Sequence, residues 1–131
     1  MPGDPVSLAL WVLQGLLAVA FLAHGWLFLS PPADMVERFN ASFPPALRMF
    51  IGIAEMLAAV GLTLPGITRI LPRLVPAAAA GLMIVMAAAT GLHMVRGEYG
   101  SAAITAVLLA AVTFVGYMRW KVKPISPRGT D

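Results

Sequence analysis

The chain has 131 residues, of which 60% are hydrophobic and 11% charged, and its formal charge is +3. At this size so apolar a surface excludes a soluble globular domain and leaves room for one integral membrane domain, residues 1–131, with lipid as its solvent. It has no cysteine, which excludes disulfides, thiolate metal sites and four-helix redox proteins built on CxxC pairs.

The first predicted span covers 6–29, about 24 residues or roughly 36 Å as a helix, enough to cross a bilayer with tilt. The preceding MPGDP carries no basic side chain, so the segment reads as an uncleaved helix rather than a signal peptide. Ser30-Pro31-Pro32 closes it, because proline cannot donate to the helical ladder. In the loop that follows, Met35, Val36, Phe39 and Phe43 recur at helical spacing opposite Asp34, Glu37 and Arg38. That pattern fits a short amphipathic helix in the membrane interface, a lid over the bundle, and equally a hydrophobic loop folded onto the surface.

The second span is 47–64, with Pro65-Gly66 as its expected stop, and the third is 75–95, with Pro76 tolerated in the first turn. Arg96-Gly97-Glu98 closes the third span. The fourth runs over 102–118, with Tyr117 and Trp120 at the interface and a basic tail over 119–131. The predicted fold class is therefore all-α: a four-transmembrane-helix bundle with a short amphipathic interfacial segment between helices 1 and 2. Small residues such as Ala77, Gly81, Ala87 and Gly91 on the third helix, and Gly52, Ala59 and Gly61 on the second, suit close helix packing. Helices one and two are not duplicated in three and four, which argues against an inverted-repeat transporter.

Basic residues set the orientation. Arg69, Arg73, Arg119, Lys121, Lys123 and Arg128 lie on the side of the termini, six in all, against Arg38, Arg48 and Arg96 opposite. The positive-inside rule then puts a multi-pass protein in the cytoplasmic (inner) membrane with both termini cytoplasmic. These residues flank hydrophobic segments, so the basic balance points to membrane lipid as partner and not to nucleic acid.

Glu55 falls near the middle of the second span, where an acidic side chain costs about 2.5–3.5 kcal/mol to insert, so it is expected between helices. It lies about 12 Å below the outer face, and His24 about 7.5 Å below it, a difference of roughly one helical turn. His93 sits nearer that face on the third helix. Gly52 and Ala59 share the stripe of Glu55, a small-residue face suited to the interior. Glu55, His24, His93 and Gly52 are the candidates for ligand binding or proton handling, with no catalytic residue assigned. A protonated Glu55 donates to a carbonyl, a carboxylate accepts a proton from a hydroquinone hydroxyl, and histidine shuttles protons near neutral pH. Each has a plain alternative: Glu55 as a packing hydrogen bond, His24 and His93 as interfacial residues. Two histidines and one carboxylate also make a ligand set only if they converge, and no metal is assigned.

RMFIGIAEMLAAVGLTLPGI, then LPRLVPAAAAGLMIVMAAATGLHMVRGE, resembles the DoxX-like family of small four-helix integral membrane proteins. The residues that carry the resemblance are Gly52, Glu55, Gly61-Leu62, Leu64-Pro65, His93 and Arg96-Gly97-Glu98, with His24-Gly25 at the end of helix one. It covers about residues 8–120 and is most specific in helices two and three. A lysine frequent in relatives after the helix-one glycine is Trp26 here, so no role of that lysine is carried over. The resemblance implies a bundle linked in some members to respiratory or thiosulfate–quinone redox chemistry.

The leading expectation is a membrane subunit or binding protein for a lipophilic redox molecule such as a quinone, held non-covalently near Glu55 and His24. A redox partner subunit would supply the redox centre, the chain itself being at most a non-catalytic or quinone-binding subunit of an oxidoreductase; a homo-oligomer is compatible with the same reading. The alternatives are a small proton-coupled transporter using Glu55 and a membrane scaffold or assembly protein without a ligand. Small multidrug transporters carry their glutamate on helix one, which counts against the transporter.

Overall fold

Five α-helices and a closing π-helical turn make up the computed structural model, which describes residues 3–129. They are α1 (Pro5–Leu29), α2 (Ala33–Ser42), α3 (Pro45–Thr68), α4 (Leu74–Val95) and α5 (Tyr99–Tyr117), the last running into a π turn over Met118–Val122. No strand occurs among the described residues. The helices α1, α3 and α4, and α5 with its π turn, are long and apolar enough to cross a membrane. The protein is a multi-pass, all-α membrane bundle, with α2 as the short segment between the first two spans.

Local chemistry explains the helix ends. Asp4 caps α1, its Oδ1 accepting the Ser7 N–H at 2.6 Å, and Pro5 occupies the first turn, where a missing N–H costs nothing. Pro45 opens α3 in the same way. The expected stop at Pro65-Gly66 falls inside α3, which continues to Thr68. A single proline removes one ladder bond, which neighbouring packing compensates in a membrane helix. The helix ends instead at Arg69, in the left-handed region at φ 59. That conformation is costly without a glycine and is held by the C-terminal tail. Arg69 donates to the carbonyls of Ser126 and Pro127 at 2.8 and 3.0 Å, and its own carbonyl accepts the Arg128 N–H at 2.9 Å.

Helix α1 packs along α3, α3 along α4 and α4 along α5, while α1 and α5 touch over less of their length. Leu17, Phe21, Leu62, Leu82, Met86, Val112 and Val115 form the buried core. Leu16, Leu57, Ile84 and Val107 point outward, as lipid-facing residues must. Lipid tails are as apolar as leucine, so close backbone approach and polar contacts drive association. A Cβ on Gly61 would lie 2.8 Å from the Ala78 Cβ, and the Thr90 hydroxyl donates to that of Thr105 at 2.8 Å between α4 and α5. Four spans return the chain to the end from which it started. There Lys123 Nζ meets Asp4 Oδ2 at 2.5 Å. This hydrogen bond, then the Ser7 N–H, hold the Asp4 carboxyl below its ordinary value near 3.8.

Candidate functional site

At the opposite end of the bundle, α1 and α3 approach until their backbones touch. A Cβ on Gly25 would lie 2.7 Å from the Gly52 carbonyl oxygen, and one on Gly52 would lie 2.9 Å from that of Gly25. His24 immediately precedes the first glycine, and Glu55 follows the second by three residues, one turn on along the same face. The glycine contact therefore brings the two side chains within reach. His24 Nδ1 and Glu55 Oε2 are 2.6 Å apart.

The two partners differ sharply in environment. Glu55 is 1% exposed, whereas the His24 side chain is 47% exposed. The imidazole thus joins the buried carboxyl group to the surface of the protein. In the tautomer with the proton on Nδ1, that N–H donates to Glu55 and leaves Nε2 as an acceptor.

Aromatic rings and a cation complete the surroundings. The Phe28 ring stands 4.4 Å from that of His24 and contacts Phe39 at 5.5 Å and Phe43 at 5.6 Å. Residues of α2 and its C-cap thereby cover this end, and Arg96 ties them to α4 by donating to the Ser42 carbonyl at 2.8 Å. Arg48 is buried and donates through Nη1 to the Phe28 carbonyl, while its Nε, also buried, has no partner among the described residues. A carbonyl near a helix C-terminus lacks an intrahelical donor, which Arg48 supplies.

Of the residues singled out from sequence, His24, Glu55 and Gly52 come together. His93 does not join them: its Nδ1 lies 3.3 Å from Glu98 Oε1 at the end of α4. No group of three His, Cys, Asp or Glu converges to hold a metal among the described residues. Arg48 was read from sequence only as a basic flank. Its signal was spacing, since seven residues, two helical turns, separate it from Glu55 and put both on one face. At the other end, Gln14 and Arg119 were likewise missed as a pair. Gln14 Nε2 donates to the Leu62 carbonyl at 2.7 Å, and its Oε1 accepts from Arg119 Nε at 2.7 Å. More than a hundred residues separate these two side chains, and no sequence spacing links them.

No curated protein and no solved structure matches the chain. The model of the DoxX-like family matches residues 12–115, a stretch that includes His24, Gly25, Gly52, Glu55 and His93, and the chain belongs to that family.

Proposed function

We propose that this DoxX-like protein binds a lipophilic redox molecule of the quinone class beside His24 and works with a partner subunit that carries the electron acceptor. The observation that carries this reading is the 2.6 Å contact between a fully buried carboxylate and a half-exposed imidazole within a membrane span. A buried acidic residue in a membrane span marks a functional polar site by default, and here it bonds to a half-exposed histidine. The chemistry of the residues fits a quinol head group: one proton acceptor, a buried counter-charge, a neighbouring guanidinium and an aromatic flank.

When bound, a quinol supplies two electrons to the partner's redox centre and two protons to the protein or solvent. His24 takes a proton at Nε2, and Glu55 holds the resulting positive charge through Nδ1–H. The imidazole then passes the proton outward from its exposed edge, which regenerates the acceptor. Phe28 fixes the imidazole plane, and Arg48 offers its unpaired Nε to a carbonyl oxygen nearby. The surplus of basic residues around the termini supports a cytoplasmic-membrane location with both termini cytoplasmic.

The test is extraction and mass spectrometry of lipophiles that co-purify with wild type and Glu55→Gln in mild detergent. Near-stoichiometric quinone in wild type, lost in a folded variant, is expected. Equal trace amounts in both would overturn the reading. Flux driven by a pH gradient and abolished by Glu55→Gln would replace it with the transporter.

A further inference from the structure

A second polar site lies at the end that holds both termini, far from His24: Trp11 there precedes His24 by thirteen residues on α1, about 20 Å along the helix. It is a cavity of about 500 Å³ between the start of α1, the end of α3 and the tail. Its polar lining includes Arg119, Lys123 and Arg69; Trp11, Ile67 and Ile125 are prominent in its apolar lining.

Arg119 is the unusual member. It belongs to the basic group that sequence places just outside the membrane, yet it is only 4% exposed. The π turn over Met118–Val122, which closes α5, carries it. Its Nε bonds to Gln14, its Nη1 donates to the Lys123 carbonyl at 3.1 Å, and its guanidinium lies 5.2 Å from the Trp11 ring. Among the described residues no carboxylate bonds to it, the Asp4 carboxylate acting on it only through space, and its Nη2 is buried without a partner. A buried guanidinium with an unpaired N–H carries a desolvation cost that an anion would offset.

We infer that this cavity is a binding site for a phosphate oxyanion carried on an apolar molecule, with Arg119 as the principal donor and Lys123 as a supporting charge. Two independent observations meet here: a basic cavity of adequate size, and an unsatisfied buried donor on a residue that lines it. Trp11, Ile67 and Ile125 favour an anionic phospholipid over free phosphate, since its glycerol and first methylenes lie against them. The position agrees, because basic pockets between spans near one membrane face hold lipid head groups. The tail acts as the outer wall. Arg69 anchors it at Ser126 and Pro127, and Ile125 packs so close to Gly66 that a Cβ there would lie 2.8 Å from the Ile125 Cδ1. Asp4 occupies part of the Lys123 charge, so Lys123 contributes less than Arg119.

Native mass spectrometry of the full chain in neutral detergent tests this, titrating phosphatidylglycerol, phosphatidylcholine and inorganic phosphate separately. Wild type is expected to retain one phosphatidylglycerol at least about tenfold more tightly than phosphatidylcholine, the ratio a single charge-assisted contact supplies. Arg119→Gln is expected to erase that preference. Because this change also removes the bond to Gln14, Ile125→Trp provides a second variant that fills the cavity and leaves every charge in place; it is expected to lose phosphatidylglycerol too. Lys121→Gln, outside the cavity, is expected to bind as wild type does. Saturable inorganic phosphate binding that both cavity variants abolish supports the oxyanion site with free phosphate as its source. Equal retention of the two lipids with no phosphate bound, or a preference that survives Ile125→Trp, would overturn the inference.

Discussion

Gly25 and Gly52 meet backbone to backbone, and that contact sets the distance between His24 and Glu55. A side chain on either glycine would enter the other helix at less than 3.0 Å from a carbonyl oxygen. Gly25 is the tighter of the two, since its Cβ would also lie 2.6 Å from the Met56 Cγ. Replacing Gly52 by alanine forces α1 and α3 apart, with an expected loss of about 1–3 kcal/mol as in other overpacked contacts. Thermal unfolding in detergent checks this. Gly81→Ala, where a Cβ meets nothing within 4 Å, should be close to neutral.

The His24–Glu55 pair predicts a measurable coupling. A double-mutant cycle on His24→Ala and Glu55→Gln should return an interaction of about 0.6–2 kcal/mol, the range for hydrogen bonds between membrane helices. Additive effects would mean that the two side chains do not act together in the folded protein.

Arg48 secures the end of α1 from α3. Arg48→Ala leaves the Phe28 carbonyl without its donor, and the expected loss is about 1.5–3 kcal/mol, the scale of a hydrogen bond to a charged group. Arg48→Lys should recover only part of it, because an ammonium is a point donor without the planar fork. Denaturation in mixed detergent micelles distinguishes the three proteins.

Acid should loosen the terminal end first. Asp4 has its folded value lowered by the Lys123 hydrogen bond and then by the Ser7 N–H, so its contribution to stability is fully present above its ordinary value near 3.8. That contribution is lost as pH falls through the lower folded value. Asp4→Asn should therefore flatten the stability profile below about pH 5, with little change in slope at pH 6–8. Unfolding midpoints measured between those limits give the answer.

Thr90 and Thr105 join α4 to α5 inside the membrane. Thr90→Val removes the interhelical donor while keeping the shape, so an expected loss of about 0.6 kcal/mol follows from the modest worth of such bonds in lipid. A loss several times larger, read by unfolding in detergent, would show that the pair organises more than its own contact.

The four spans were legible from the chain alone because length and hydropathy are local quantities, and a bilayer demands about twenty apolar residues of each. The spacing of Met35, Val36, Phe39 and Phe43 allowed a short amphipathic helix and a surface loop alike, and the structure forms the helix over Ala33–Ser42. Even the depth match of His24 and Glu55 followed from counting residues along two helices. Rotation about the helix axes was not legible. It depends on Gly25 meeting Gly52, a contact between residues 27 positions apart that no spacing rule fixes. Pro65 shows the limit on punctuation: its missing N–H ends a helix only where nothing else supports the next turn, and here α3 runs on to Thr68. Arg119 shows the limit on charge. Chain length and the cost of burying charge in lipid were enough to establish a four-span membrane bundle with an acidic residue in its interior. That Glu55 meets His24, that His93 turns to Glu98, and that the π turn carries Arg119 into the protein emerge from the folded helices alone, because each depends on which helix faces meet.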